Sequence, residues 1–186
     1  MNDPKDVLRQ RLANIFESLR WKLDGLAEYD LRRPLVPTGT NLLGVAKHVA
    51  LVSAGYFGEV FGRESAMPPF PEHEPNADMW ATADESAEYV IGLLDLAAAE
   101  CDATIAALSL DSPGRVPWWG DRGDVTVHTI AVHVIAEVNR HTGQVDILRE
   151  LIDGRAGMRN DDPNLPTGTE WAGYRDRLQA LAETFR

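Results

Sequence analysis

Val125 to Gly154 reads VTVHTIAVHVIAEVNRHTGQVDILRELIDG, and this stretch decides the fold. Its apolar positions are Val127, Ile130, Val134, Val138, Val145, Leu148 and Ile152. They recur every three to four residues over about seven turns, the pattern of an amphipathic helix, so the spacing predicts a helix from Thr126 to Gly154. His133, Glu137 and His141 follow one another at i, i+4 and i+8 and therefore fall close to the same stripe. Burying an imidazole or a carboxylate without a partner is costly, so something must offset that cost at the core edge.

Two readings account for these residues. Glu137 and His141 offer a carboxylate oxygen and an imidazole nitrogen one turn apart, within reach of one cation. This is the Glu-x-x-x-His counterpart of the paired histidines of zinc hydrolases. A third ligand would then come from His48, His73, His128 or His133. Alternatively, Glu137 bonds His133 or His141 as a purely structural pair. The helix alone leaves both readings open.

Composition narrows the rest. At 186 residues the chain suits one sizeable domain, 1–186, and its 44% hydrophobic and 25% charged residues are those of a globular protein rather than a disordered one. A net charge of -11 without a basic cluster argues against a nucleic-acid or anionic-membrane partner. No apolar run approaches the ~20 residues of a membrane span, and MNDPKDVLRQ lacks a signal-peptide core, so a cytoplasmic protein is expected. The single cysteine, Cys101, lies in an alanine-rich stretch and reads as a small core residue rather than a nucleophile.

The remaining periodic segments are also helical. Asp3-Pro4 opens a first helix expected to run to about Ala27, and the prolines at 34 and 37 enforce an extended connector after it. A second helix from the Thr38–Asn41 caps to about Gly62 contains His48, whose small, apolar neighbours Gly44, Leu51, Val52 and Gly55 turn the imidazole inward. Residues 63–81 hold Pro68, Pro69, Pro71 and Pro75 and read as a lid or rim. A capping box at Thr82–Glu85 starts a third helix to about Leu108, followed by a loop with Trp118 and Trp119 that plugs the core or walls a pocket. A second box, Thr167–Glu170, begins a terminal helix bearing Trp171, Tyr174 and Phe185. No stretch alternates as a strand. The chain therefore reads as all-α, a four-helix bundle with a shorter C-terminal helix.

The inward His48 of Leu42-Leu-Gly-Val-Ala-Lys-His48, together with Glu137-x-x-x-His141-x-Gly-Gln144, resembles the DinB-like superfamily of metal-binding four-helix bundles over about residues 5–155. Asp146 to Gly154 resembles an actinobacterial branch of it. Many members use three histidines, whereas Glu137 occupies the first position of the fourth-helix pair here. That set resembles mycothiol-dependent maleylpyruvate isomerase. The resemblance implies His48, Glu137 and His141 as ligands of one divalent cation, zinc first and nickel, iron(II) or manganese after it. His133 then becomes a supporting partner or substitute ligand, and His73 and His128 rim residues.

Three ligands leave a coordination position open. The resemblance favours a thiol such as mycothiol, held there as thiolate for transfer to a small electrophile. A metal-dependent hydrolase and a non-catalytic stress or scaffold protein are the alternatives. Arg140, Arg149 and residues 63–81 are candidates for a thiol-binding rim. The resemblance and the apolar terminal helix also imply a homodimer.

Overall fold

The computed structural model describes residues 3–71 and 74–186 and divides into two compact units, Met1–Ala156 and Gly157–Arg186. In the first unit, α1 (Pro4–Leu23) starts where the Asp3 carboxylate accepts the Lys5 amide at 2.9 Å. α2 (Glu28–Arg32), α3 (Leu42–Phe57), α4 (Ala87–Ala107) and α5 (Val127–Asp153) follow. α4 and α5 each pack against both α1 and α3, which closes a four-helix ring, and α2 lies against α3. The second unit holds α6 (Trp171–Glu183), capped by the Glu170 carboxylate, with none of its residues buried. Among the described residues no helix is long and apolar enough to cross a membrane.

The core is aliphatic and aromatic: Leu19, Leu42, Leu43, Phe57, Leu94, Ile105, Ile130 and Val145 are essentially inaccessible. Each such side chain contributes about 1.5–3 kcal/mol relative to its exposed state. α5 keeps its expected bounds because both ends carry explicit signals. The Thr126 hydroxyl accepts the Thr129 amide at 3.3 Å, and Gly154 closes the helix at a φ of 78°.

Other bounds move for local reasons. The first helix stops at Leu23 rather than near Ala27, because Gly25 turns left-handed at a φ of 72° and the chain restarts as the short α2. α3 ends at Phe57, and Glu59–Phe61 tighten into a 3-10 turn before Gly62. α4 begins after Ser86, not at Thr82. The Glu85 carboxylate does accept the Thr82 amide at 2.7 Å, but it also takes the Lys47 ammonium at 2.8 Å, so the box closes a turn ahead of the helix. A small antiparallel pair, β1 (Pro113–Arg115) with β2 (Asp124–Thr126), escapes the sequence pattern because three residues are too few to show alternation.

Two buried cations lock α1 to α5. The Lys22 ammonium meets the Asp146 carboxylate at 2.8 Å. Arg149, 1% exposed, grips Asp153 through two nitrogens at 3.0 and 2.7 Å and donates to the Lys22 and Asp24 carbonyls at 2.8 Å. It thereby satisfies carbonyls that the end of α1 leaves without helical partners. The Asp153 carboxyl is held below its ordinary value, chiefly by its hydrogen bonds with Arg149.

Two measurements check this packing. A Cβ on Gly44 would collide with the backbone carbonyl of Met79, whereas one on the exposed Gly92 meets nothing within 4 Å. Gly44→Ala is expected to lower stability by about 1–3 kcal/mol and Gly92→Ala to raise it by about 0.5–1 kcal/mol in urea unfolding. Arg149→Met is expected to cost roughly 3 kcal/mol, since it strands two carbonyls and a carboxylate. Because the folded Asp153 carboxyl titrates below its unfolded value, its contribution is full above the unfolded value and is lost as pH falls through the folded one. Urea midpoints of Arg149→Met should therefore fall less steeply than wild type on acidification below about pH 5.

Candidate metal centre

α3 and α5 lie side by side in the ring, and each turns one polar face toward the other. His48 comes from the middle of α3, and Glu137 and His141 from successive turns of α5. One ligand-type atom from each of the three lies within 4.8 Å of the other two. Glu137 Oε1 is 3.0 Å from His141 Nε2 and 3.7 Å from His48 Nε2, and the imidazole centroids are 4.7 Å apart. The side chains are 17% (His48), 32% (Glu137) and 10% (His141) exposed, so the cluster is sheltered but reachable.

Each imidazole is oriented from behind. His48 Nδ1 donates to Asp78 Oδ2 at 2.5 Å, and His141 Nδ1 donates to Gln144 Oε1 at 2.9 Å. Both partner atoms are acceptors, so both Nδ1 atoms carry hydrogen, and each Nε2, once it gives up any proton, turns a lone pair inward. Two lone pairs and a carboxylate oxygen then face one another, and such a set needs positive charge between them: a proton shared by His141 and Glu137, or a cation. Burial opposes ionisation of Glu137, but the hydrogen bond and charge of His141, with those of His48, outweigh it and hold the carboxyl below its ordinary value. The site thus keeps Glu137 as carboxylate.

Two imidazole nitrogens and one carboxylate oxygen are a ligand set suited to zinc and its first-row neighbours. Ligands about 2.1 Å from a common zinc are roughly 3.4 Å apart, close to the separations that Glu137 already makes with the two histidines.

Asp78 is the residue that the sequence did not reveal. It lies in the 3-10 turn Ala77–Met79, thirty positions beyond His48, and no periodicity marks it. Its placement depends on Lys47, the residue before His48. That ammonium, 5% exposed, donates to the Ala77 and Trp80 carbonyls at 3.2 and 3.0 Å besides pairing with Glu85. Arg32 holds the next stretch, donating to the carbonyls of Ala81, Thr82 and Glu85.

His133 stands apart from the three-residue cluster. Its ring packs edge-on against Tyr56 at 4.8 Å and Trp119 at 4.9 Å, and Tyr56 also meets Trp118 at 5.4 Å. The two tryptophans therefore join an aromatic wall beside α3. His128 is exposed on the first turn of α5, and His73 lies outside the described residues. Arg149 is no rim residue, since its guanidinium is consumed by Asp153 and the end of α1; Arg140 is exposed. Cys101 is buried, donates to the Ser53 carbonyl, and has its thiol pushed far up by burial, which removes it as a nucleophile.

A solved structure described as the crystal structure of a conserved protein from Enterococcus faecalis superposes with a TM-score of 0.60 over 83% of this chain and 100% of that one. At 15% identity the likeness is one of fold. No curated protein matches the chain. Residues 7–154, which span α1 to the end of α5 and include His48, Asp78, Glu137 and His141, match the mycothiol-S-transferase family. The chain belongs to that family, within the DinB-like proteins.

Proposed function

We propose that this chain is a metal-dependent mycothiol S-transferase, in which His48, Glu137 and His141 hold one divalent cation, zinc first, and a small electrophile is the acceptor. The observation that carries the reading is that two imidazole nitrogens and a carboxylate oxygen lie within 4.8 Å of one another, in a member of this family. A cation held there would supply Lewis acidity, which would lower the pKa of a bound thiol.

The chain's own residues do the remainder. Glu137 contributes the negative charge that fixes a cation between neutral imidazoles, and Asp78 and Gln144 keep both Nε2 atoms aimed inward. Tyr56, Trp118 and Trp119 form an aromatic wall further along α3, an apolar surface for the non-reacting part of a substrate. Since Cys101 is inert, the reacting thiol is brought in as a substrate. Its sulfur forms a bond to the electrophilic carbon, the leaving group departs with its electron pair, and the thiol proton passes to solvent.

The carboxylates around the cluster weigh against hydrolysis. Asp78 is engaged with His48 and Glu137 with His141, and His133 is turned into the aromatic wall. Among the described residues this leaves no unengaged general base at the cluster.

Metal analysis of protein purified without added metal should give about one divalent cation per chain, and Glu137→Ala and His141→Ala should each lose it. Full occupancy in both variants would refute the ligand assignment. Asp78→Asn should stay folded but bind the cation about 10–100-fold more weakly, because the His48 ring loses its orienting carboxylate. Conjugation of mycothiol to monochlorobimane, followed by fluorescence, should require the cation and be abolished by His48→Ala. Cleavage of esters or amides without thiol would favour a hydrolase instead.

A further inference from the structure

Gly55 lies on α3 seven residues after His48, hence on nearly the same stripe of the helix. A glycine inside a helix weakens it and commonly marks a close neighbour, as Gly44 does for the Met79 carbonyl. Gly55 has no such neighbour: a Cβ built there meets nothing within 4 Å. The space before it is a cavity of about 580 Å³, lined by Val52, Gly55, Tyr56, Met67, Phe70 and Trp118 among others.

His48, Glu137 and His141 do not line this cavity, but Val52, which does, stands one turn beyond His48 on α3, about 6 Å further along the helix axis. The volume falls in the range of small-molecule sites, about 300–1,000 Å³. Its lining is mostly hydrocarbon. Glu59 is the one charged residue in it among those described, and Ser65 and Tyr56 the hydroxyls, with the Tyr56 oxygen already receiving the Trp118 indole N–H at 3.4 Å. A sugar-bearing thiol would leave most of its hydroxyls unpaired on such walls, and an anion would face Glu59 in a chain of net charge -11. Rings of Phe70 and Trp118, both about half exposed, offer faces for stacking.

Building on the thiol-transfer reading, we propose that this cavity seats a neutral aromatic electrophile, with its reactive carbon toward the cluster, and that Gly55 sets the size limit. The missing side chain is then the feature that keeps the acceptor pocket open beside the thiol.

The test uses the full-length, metal-loaded protein and a neutral fluorescent probe, N-phenyl-1-naphthylamine, whose emission rises in apolar surroundings. Wild type should bind it saturably, Gly55→Ala should bind it more weakly, and Gly55→Leu about tenfold or more weakly, since the side chain occupies the cavity. Metal content should be unchanged and the melting temperature equal or higher, because leucine favours helix over glycine. In mycothiol conjugation, Gly55→Leu should raise KM for 1-chloro-2,4-dinitrobenzene and leave KM for the thiol unaltered. If wild type conjugates nothing while the probe binding and its loss in Gly55→Leu persist, thiol transfer fails and the aromatic pocket stands. Equal probe binding by wild type and folded Gly55→Leu overturns the pocket, and tighter binding of anionic 8-anilino-1-naphthalenesulfonate overturns its preference for neutral ligands.

Discussion

An ammonium group withdrawn from water must collect its hydrogen bonds from the protein, and Lys47 collects three from one segment of chain: the Ala77 and Trp80 carbonyls and the Glu85 carboxylate. That requirement fixes the largely irregular stretch from Ala77 to Glu85 against α3. It also determines where Asp78 lies, because Asp78 is in the segment so held and His48 is the residue after Lys47. Gly44 permits the approach by presenting no side chain to the Met79 carbonyl. The orientation of one imidazole thus depends on a buried charge that never touches it.

The second imidazole needs no such device. His141 finds both its partners on its own helix, Glu137 one turn before and Gln144 one turn after. This local origin explains what was legible in the sequence. α5 announces itself by period, cap and terminal glycine, and the spacing of Glu137 and His141 on it already shows that they share a face. His48 could be located on an inward face by its small neighbours. Asp78 and Lys47 could not be connected to it, because their contact is a product of tertiary packing around an irregular segment and leaves no periodic trace.

The same distinction separates the polar residues whose roles a sequence misassigns. Arg149 sits near the end of an amphipathic helix, where a cation ordinarily faces solvent or ligand, but here it is surrounded by the end of α1 and Asp153. His133 shares the spacing of Glu137 and His141 yet packs against Tyr56 and Trp119, because α3 offers an aromatic ring at that level of the bundle instead of an imidazole. Helical spacing says which residues share a face; the facing helix decides what each of them meets. The end of α1 and the β1–β2 pair were missed for a simpler reason, since a single left-handed glycine and two three-residue strands fall below the length at which periodicity carries information.

The segment between α3 and α4 is secured at two separate places. Near its start, Glu100 on α4 accepts the Ser65 hydroxyl at 2.6 Å and the Ala66 amide at 2.8 Å, beside the residues that line the cavity. Near its end, Lys47 and Arg32 hold the stretch that carries Asp78. Residues 65–70 can therefore be exchanged in evolution without disturbing the support of His48. A lineage could diversify what enters the cavity by drift in one short stretch while the chemistry on α3 and α5 is inherited intact.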